Sequence, residues 1–159
     1  MPDVFTKAKR SDVMSRIRSR GNKDTELALI HVFRAHGITG WRRHKKLRVE
    51  SRKKGTSPRP SPQSGEGEAF RVRPDFVFPK LRLAVFVDGC FWHGCPKHET
   101  KPRNNAAFWR KKFAANTARD RLVTRTLRRN GWRVLRLWEH ELARKREARL
   151  LRRIQRALG

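Results

Sequence analysis

The residues best suited to chemistry lie in one short stretch, Leu83 to His98, which reads LAVFVDGCFWHGCPKH. Its β-branched and aromatic residues at Val85 to Val87 predict a buried strand. A carboxylate at Asp88 and two thiols at Cys90 and Cys95 follow directly, with two imidazoles and two large aromatic rings among them. We predict that a rigid strand delivers these groups into one loop, which is how functional sites are usually built.

A second carboxylate, Asp75, interrupts an otherwise apolar β segment over 70–78, which we predict pairs with 81–87 through a turn at Pro79-Lys80. An unpaired carboxylate in such surroundings is costly, so Asp75 needs a partner. Asp75 and Asp88 could converge at one sheet edge and hold Mg²⁺, with waters and a phosphate completing its shell. The alternative is that each aspartate only caps or turns the chain.

The thiols and imidazoles of the loop suit a zinc site. Cys90, Cys95 and His98 can supply three ligands, and His140, just after the last predicted strand, could be the fourth. The spacing is looser than that of a zinc finger. His93 is left as a candidate general acid or base, although it could replace His98 as a ligand.

Adjacent aromatic residues follow Cys90 in the same loop. Phe91 and Trp92 could wedge between bases, an insertion that costs least at a mismatched pair. Trp109, beside Phe108, is a candidate for the same role. The alternative is packing, either beneath the cysteine loop or in the core.

Two helices are predicted before the first strand. Ser11 to Ser19 forms a short helix, and a second helix runs from a cap at Asp24 or Thr25 to His36. Glu26 lies in the first turn of the second helix, where the helix dipole alone favours a carboxylate.

The remaining pattern predicts alternating strands and helices, which suits an α/β fold with a mixed sheet covered by helices on both faces. The predicted elements are a strand over Ile38–His44, the strand pair, a long helix from Asn104 or Asn105 to about Arg129, a strand over Trp132–Trp138 and a closing helix with Leu151, Ile154 and Leu158 on one face.

The segment Arg48 to Glu68 is rich in Ser, Pro, Gly and charge, and predicts a disordered insertion. At 159 residues, the chain has the length of one domain.

The net charge favours a polyanionic partner. Lys and Arg number 41 against 14 Asp and Glu, a formal charge of +27. Nucleic acid is the leading candidate, against a basic surface without function or a patch for acidic lipid. No apolar run is long enough to span a membrane and the first residues lack a signal-peptide core, so we expect a cytoplasmic protein without membrane contact.

Several motifs together resemble a known family: PDFVF, VFVDGCFWHGCP, FW followed by RDR, and GWRVLRLWEHEL. The chain resembles the very short patch repair (Vsr) DNA mismatch endonucleases over nearly its whole length outside 48–68. The resemblance implies a restriction-endonuclease-like fold. It also implies a Mg²⁺-dependent nick on the 5′ side of the thymine in a T·G mismatch, the product of 5-methylcytosine deamination.

The resemblance also implies residue roles. Asp75 would be the metal-binding catalytic aspartate with the backbone carbonyl of Val87 as a second ligand, His93 a catalytic imidazole, and Glu26 and Asp120 acidic residues around the active site. The intercalating aromatics would be Phe91, Trp92 and Trp109, and the zinc ligands Cys90, Cys95, His98 and His140.

Some alternatives stay open. A well-known family member has histidine at the position of Asp88, so Asp88 could accept a proton or join the metal. The different-class alternative is a non-catalytic, zinc-bearing DNA-binding module, and a nuclease of the same fold for another DNA lesion is a further one. We expect a monomer that associates with the bacterial nucleoid through DNA, with mismatch-repair proteins as further candidate partners.

Overall fold

A computed structural model describes residues 23–50, 69–98 and 105–159. The predicted helix at Ser11–Ser19 and residues 51–68 of the predicted insertion lie outside the described residues. Within them, a mixed four-stranded sheet and a separate two-stranded sheet are combined with helices.

The first described element is a π-helical turn, Lys23–Leu27, which continues into α1, Ala28–Ala35. Asp24 and Thr25 lie inside the π-helical turn rather than at an N-cap, so the predicted start of this helix is wrong. Its end near His36 is confirmed: Gly37 follows with φ +63°, a left-handed conformation that glycine adopts without strain.

The strands of the two sheets are β1 Arg42–Arg43, β2 Leu47–Glu50, β3 Ala69–Val72, β4 Phe76–Phe78, β5 Leu83–Asp88 and β6 Arg133–Trp138. The four-stranded sheet has the order β1-β4-β5-β6. β5 pairs antiparallel with β4 and parallel with β6.

Two predicted strands are shorter than the pattern indicated. Only Arg42–Arg43 of the predicted 38–44 strand pairs, because Gly40 and His44 on either side have positive φ values. The predicted 70–78 strand divides around Pro74, which has no N–H to donate, so that β3 pairs with β2 and β4 pairs with β5.

The predicted insertion begins too early. Its first residues, Arg48–Glu50, belong to β2, which pairs with β3 in register from Leu47↔Val72 to Glu50↔Ala69. The side chains of β2 alternate between buried and exposed, and Val49 is 1% exposed. A strand of four residues beside a polar segment is too short to show this alternation clearly.

Helices cover both faces of the four-stranded sheet, as predicted. Leu83 and Val85 of β5 pack in a core with α1 and with α3, Glu147–Leu158. Ala84 packs on the other face against α2, Ala106–Arg129. The predicted long helix and the predicted strand before the last helix are confirmed, as is the mixed α/β class. The closing helix buries Leu150 and Ile154.

Candidate active site and metal centre

The first polar group of the site surrounds Asp75, in the break between β3 and β4. The Val87 amide donates a hydrogen bond of 2.8 Å to Asp75 Oδ2, so the strand pair holds this carboxylate in place. Burial raises the pKa of Asp75 to about 6, although the bond from Val87 lowers it, and the charges of Glu26 and Asp88 raise it further. The sequence predicted that this carboxylate needs a partner. Among the described residues, its hydrogen-bond partner is the backbone amide of Val87.

Glu26 and His44 complete this group. Ligand atoms of Glu26, His44 and Asp75 all lie within 4.8 Å of one another. Glu26 is 5% exposed and accepts a 2.7 Å bond from Arg43. His44 Nε2 lies 2.9 Å from Glu26 Oε2, within ion-pair distance, and among the described residues this buried nitrogen has no hydrogen-bond partner. Such a donor set could hold a divalent cation.

A second group of polar side chains, Asp88, His93 and Asp120, connects the loop after β5 to α2. His93 Nδ1 lies 2.5 Å from Asp120 Oδ2 and 3.8 Å from Asp88 Oδ1. Burial alone would lower the pKa of His93, but the hydrogen bond to Asp120 and the charge of Asp88 outweigh it, and the pKa is raised. Burial would raise the pKa of Asp120, but His93 and Arg136 outweigh it in turn, and that pKa is lowered. The histidine therefore has a fixed orientation with a carboxylate behind it.

Arg136 of β6 connects the two acidic residues of this second group. Its Nε and Nη2 donate to Asp88 over 2.7 and 2.5 Å, and its Nη2 lies 2.9 Å from Asp120 Oδ1. The two aspartates that were predicted to converge on one cation, Asp75 and Asp88, thus lie in different groups. The carboxylate of Asp88 is directed to a guanidinium.

Two polar residues of the site, His44 and Arg136, were not predicted. Arg136 had a usable signal: it is a charged residue inside the strand WRVLRLW, where burial requires an acidic partner. His44 follows a two-residue strand and had no comparable signal.

The predicted zinc ligands come together. Cys90, Cys95, His98 and His140 each offer a ligand atom within 4.8 Å of the others. His140 Nδ1 lies 3.2 Å from Cys90 Sγ and 3.4 Å from Cys95 Sγ, and His98 Nδ1 lies 3.9 and 3.7 Å from the same sulfurs. Burial raises the pKa of the Cys90 thiol to about 11, and burial together with His98 lowers that of His140.

The loop geometry explains this convergence. The chain turns twice, with the His93 amide donating to the Gly89 carbonyl and the Cys95 amide to the Cys90 carbonyl. Gly94 allows the second turn at φ +62°.

The predicted aromatic residues form one cluster at the start of α2. The ring of Phe91 lies 5.0 Å from Trp92, 5.3 Å from Trp109 and 5.4 Å from Phe113, between centroids. These four side chains are partly exposed, and Phe108 beside them is 60% exposed. The cluster lies outside both cores of the sheet and forms a partly exposed apolar surface.

No helix in the described part of the chain is long and apolar enough to cross a membrane.

Comparisons with known proteins agree with these features. The family model described as DNA mismatch endonuclease Vsr matches residues 65–101. The type II nicking enzyme V.NmeAIP of Neisseria meningitidis is 33% identical over 99% of this chain and 100% of its own length. The type II nicking enzyme V.NaeI of Lentzea aerocolonigenes is 51% identical over 47% of this chain, and the chain spans 45% of that relative.

The DNA mismatch endonuclease Vsr of Escherichia coli is 42% identical over 48% of this chain and 54% of its own length. The full-length match to one nicking enzyme and the family match across the cysteine loop lead to the same assignment. The chain belongs to the Vsr family of DNA mismatch endonucleases.

Proposed function

We propose that this protein is a Mg²⁺-dependent endonuclease that nicks one DNA strand 5′ of the thymine in T·G mismatches left by 5-methylcytosine deamination, in very short patch repair. Family membership and a formal charge of +27 support a DNA substrate. The observation that carries the proposal is the group around Asp75, because two acidic side chains and an imidazole lie around one point there.

The donor set fits a hard cation. Asp75 and Glu26 would supply carboxylate oxygens, and the backbone carbonyl of Val87 would add a neutral oxygen. The raised pKa of Asp75 supports this assignment, since a buried carboxylate without a counter-charge is costly and a cation would relieve that cost. When bound, Mg²⁺ polarises the scissile phosphate and lowers the pKa of a water nucleophile.

His93 would transfer a proton during cleavage of the phosphodiester bond. Its Nδ1 is engaged by Asp120, so Nε2 is the nitrogen left to exchange a proton with the attacking water or the leaving oxygen. Asp120 fixes the ring and stabilises its charged form. Asp88 would not ligate the cation but would hold Arg136, which in turn contacts Asp120.

The cysteine and histidine cluster would hold a structural Zn²⁺. In a tetrahedral site with Zn–S near 2.3 Å and Zn–N near 2.0 Å, adjacent ligand atoms lie about 3.5 Å apart. The sulfur-to-nitrogen distances run from 3.2 to 3.9 Å around this value. Zn²⁺ would tie the loop carrying His93 to the end of β6.

The partly exposed aromatic cluster would enter the DNA stack beside the mismatch. Phe91, Trp92 and Trp109 are held by one another, and Asn116 Nδ2 donates 2.8 Å to the Trp92 carbonyl, which fixes the loop to α2. Pre-positioned apolar rings reduce the ordering cost of insertion, and a mismatched pair is cheapest to unstack.

We further propose a single endonuclease domain of restriction-endonuclease-like fold over residues 1–159, with an insertion reduced to 51–68. It would act as a cytoplasmic monomer on double-stranded DNA, with mismatch-repair proteins as further candidate partners.

The test is a nicking assay on end-labelled duplexes that differ only in one base pair. With Mg²⁺ and zinc-loaded protein, the T·G duplex should be cut in the thymine strand at the 5′ phosphate, and T·A, C·G, A·C and T·T duplexes much more slowly. Binding without cutting would support a non-catalytic DNA-binding module instead. Preferred cutting of a different pair would support a nuclease for another lesion.

A further inference from the structure

A cavity of about 740 Å³ opens beside the second polar group of the site. Asp88, His93, Asp120 and Arg136 line it, and Trp138 of β6 adds an aromatic wall. The cavity continues along α2, where it is lined by Thr117, Thr124, Arg121, Arg125, Arg128 and Arg129.

The arginines of this cavity lie on one side of α2. Arg121, Arg125 and Arg128 follow the spacing i, i+4, i+7, so their side chains leave the same face of the helix. From Asp120 to Arg128 the helix rises about 12 Å, at 1.5 Å per residue. The positive charge therefore forms a track that begins at the His93 and Asp120 pair.

Nothing acidic in the described part of the chain neutralises this track. The acidic residues on the cavity wall, Asp88 and Asp120, are engaged by Arg136 and His93. Among the described residues, none of the four cavity arginines of α2 lies within ion-pair distance of a carboxylate. The cavity is thus a basic recess joined to the candidate active site.

We infer that this cavity is a phosphate-binding subsite, which holds the sugar-phosphate backbone of the DNA strand next to the scissile bond. The inference rests on the proposed function and adds to it the part of the substrate that is bound. Arginine binds phosphate oxygens through two parallel N–H donors, and threonine hydroxyls add the side-chain contacts typical of backbone recognition. A track of about 12 Å is long enough to contact more than one successive phosphate of a strand.

Binding of this kind has a measurable signature. Each phosphate that a protein neutralises releases condensed counterions and contributes about 0.9 to the slope of log K against log salt. An arginine that contacts one phosphate should reduce the slope by about 1 when it is made neutral, whereas an exposed arginine away from the DNA should not.

The experiment measures binding of an intact T·G duplex by fluorescence anisotropy between 50 and 300 mM salt, in full-length Asp75→Asn protein, so that no strand is cut. Arg125→Gln and Arg128→Gln should each reduce the slope by about 1. Arg119→Gln is the matched control, because Arg119 is exposed on the same helix, does not line the cavity and points roughly opposite to Arg121. It should leave the slope unchanged. A thermal unfolding curve for each variant establishes that it is folded.

A second arm locates the contacts. Uncharged methylphosphonates replace, one at a time, the phosphates within about four nucleotides of the bond that the wild type would cut, in the same intact duplex. Arg125→Gln should no longer reduce the salt slope when the phosphate that Arg125 contacts is already neutral. The positions that show this coupling for Arg125 and Arg128 should be adjacent on one strand. Equal effects of the cavity variants and Arg119→Gln, or no position with such coupling, would overturn the inference. Failure of wild-type protein to cut T·G duplexes contradicts the proposed function instead, and it does not alter this binding result.

Discussion

Replacing Asp75 with asparagine should stabilise the protein while it abolishes nicking. The side chain keeps its shape and can still accept the hydrogen bond from Val87, but it loses the buried charge. Each pKa unit corresponds to 1.36 kcal/mol, so a rise from 3.8 to about 6 corresponds to about 3 kcal/mol of destabilisation by the ionised carboxylate.

The sign follows from linkage. The folded protein binds the proton of Asp75 more tightly than the unfolded chain does, so the wild type loses stability as pH rises from about 4 to above 6. At pH 8 without added Mg²⁺, the free energy of unfolding of Asp75→Asn should therefore exceed that of the wild type by up to about 3 kcal/mol. At pH 5 the difference should be about half of this. Added Mg²⁺ should stabilise the wild type much more than the variant, because only the wild type retains the Asp75 carboxylate as a ligand.

The assay is urea unfolding at pH 5 and pH 8, with and without Mg²⁺. Asp88→Asn is the matched control, since it makes the same chemical change where the carboxylate is paired with Arg136. Breaking that buried pair should cost about 3 kcal/mol. If Asp75→Asn is less stable than the wild type at pH 8 without Mg²⁺, burial does not penalise the Asp75 charge. The argument for a cation at Asp75 then loses its physical basis.

Three further outcomes are expected. His93→Gln should reduce the single-turnover nicking rate by about 10²-fold or more with little change in duplex affinity, and a rate within about threefold of wild type would exclude proton transfer by this residue. Elemental analysis should find about one zinc per chain and much less in Cys95→Ser, whose thermal midpoint should be lower; equal zinc in both would exclude this cluster as the site. Burial alone would raise the pKa of Glu141, but the Trp138 amide and Arg153 lower it, so its stabilisation is present above about pH 4.5 and is lost below. Glu141→Gln should lower the free energy of unfolding at pH 7 by about 1–3 kcal/mol. Glu147→Gln should lower it less, because the pair of Glu147 with His36 is more exposed.

Elements with many periodic residues could be predicted from the sequence alone. The long helix α2 and the strands β5 and β6 show clear patterns, and the loop after β5 gathers its cysteines within a few residues. The strand β2 and its pairing with β3 could not be predicted, because this pairing joins segments separated by a long polar stretch. The break around Pro74 was visible in the sequence, but the change of partner from β2 to β5 was not.

The division of the two aspartates shows what local patterns leave out. Successive residues of β5 face opposite sides of the sheet, so Asp88 points toward α2, on the same side as Ala84. Asp75 instead contacts the amide of Val87 and meets Glu26 from the first helical turn. Which side chains surround a carboxylate depends on these tertiary contacts. The sequence marked Asp75 as needing a partner, but it identified neither the Val87 amide that bonds to it nor His44 in the same group.

Single-turnover nicking of a T·G duplex, with protein in excess, tests most directly whether a hard cation held at Asp75 is used to cut beside the mismatch. Wild type and Asp75→Asn are compared at rising Mg²⁺, with duplex binding measured on the same samples. Wild-type protein should nick the thymine strand with a saturable dependence on Mg²⁺, and Asp75→Asn should bind the duplex but show no Mg²⁺-dependent nicking. Mg²⁺-dependent nicking by Asp75→Asn at a rate near that of wild type would contradict the assignment of the cation to this group.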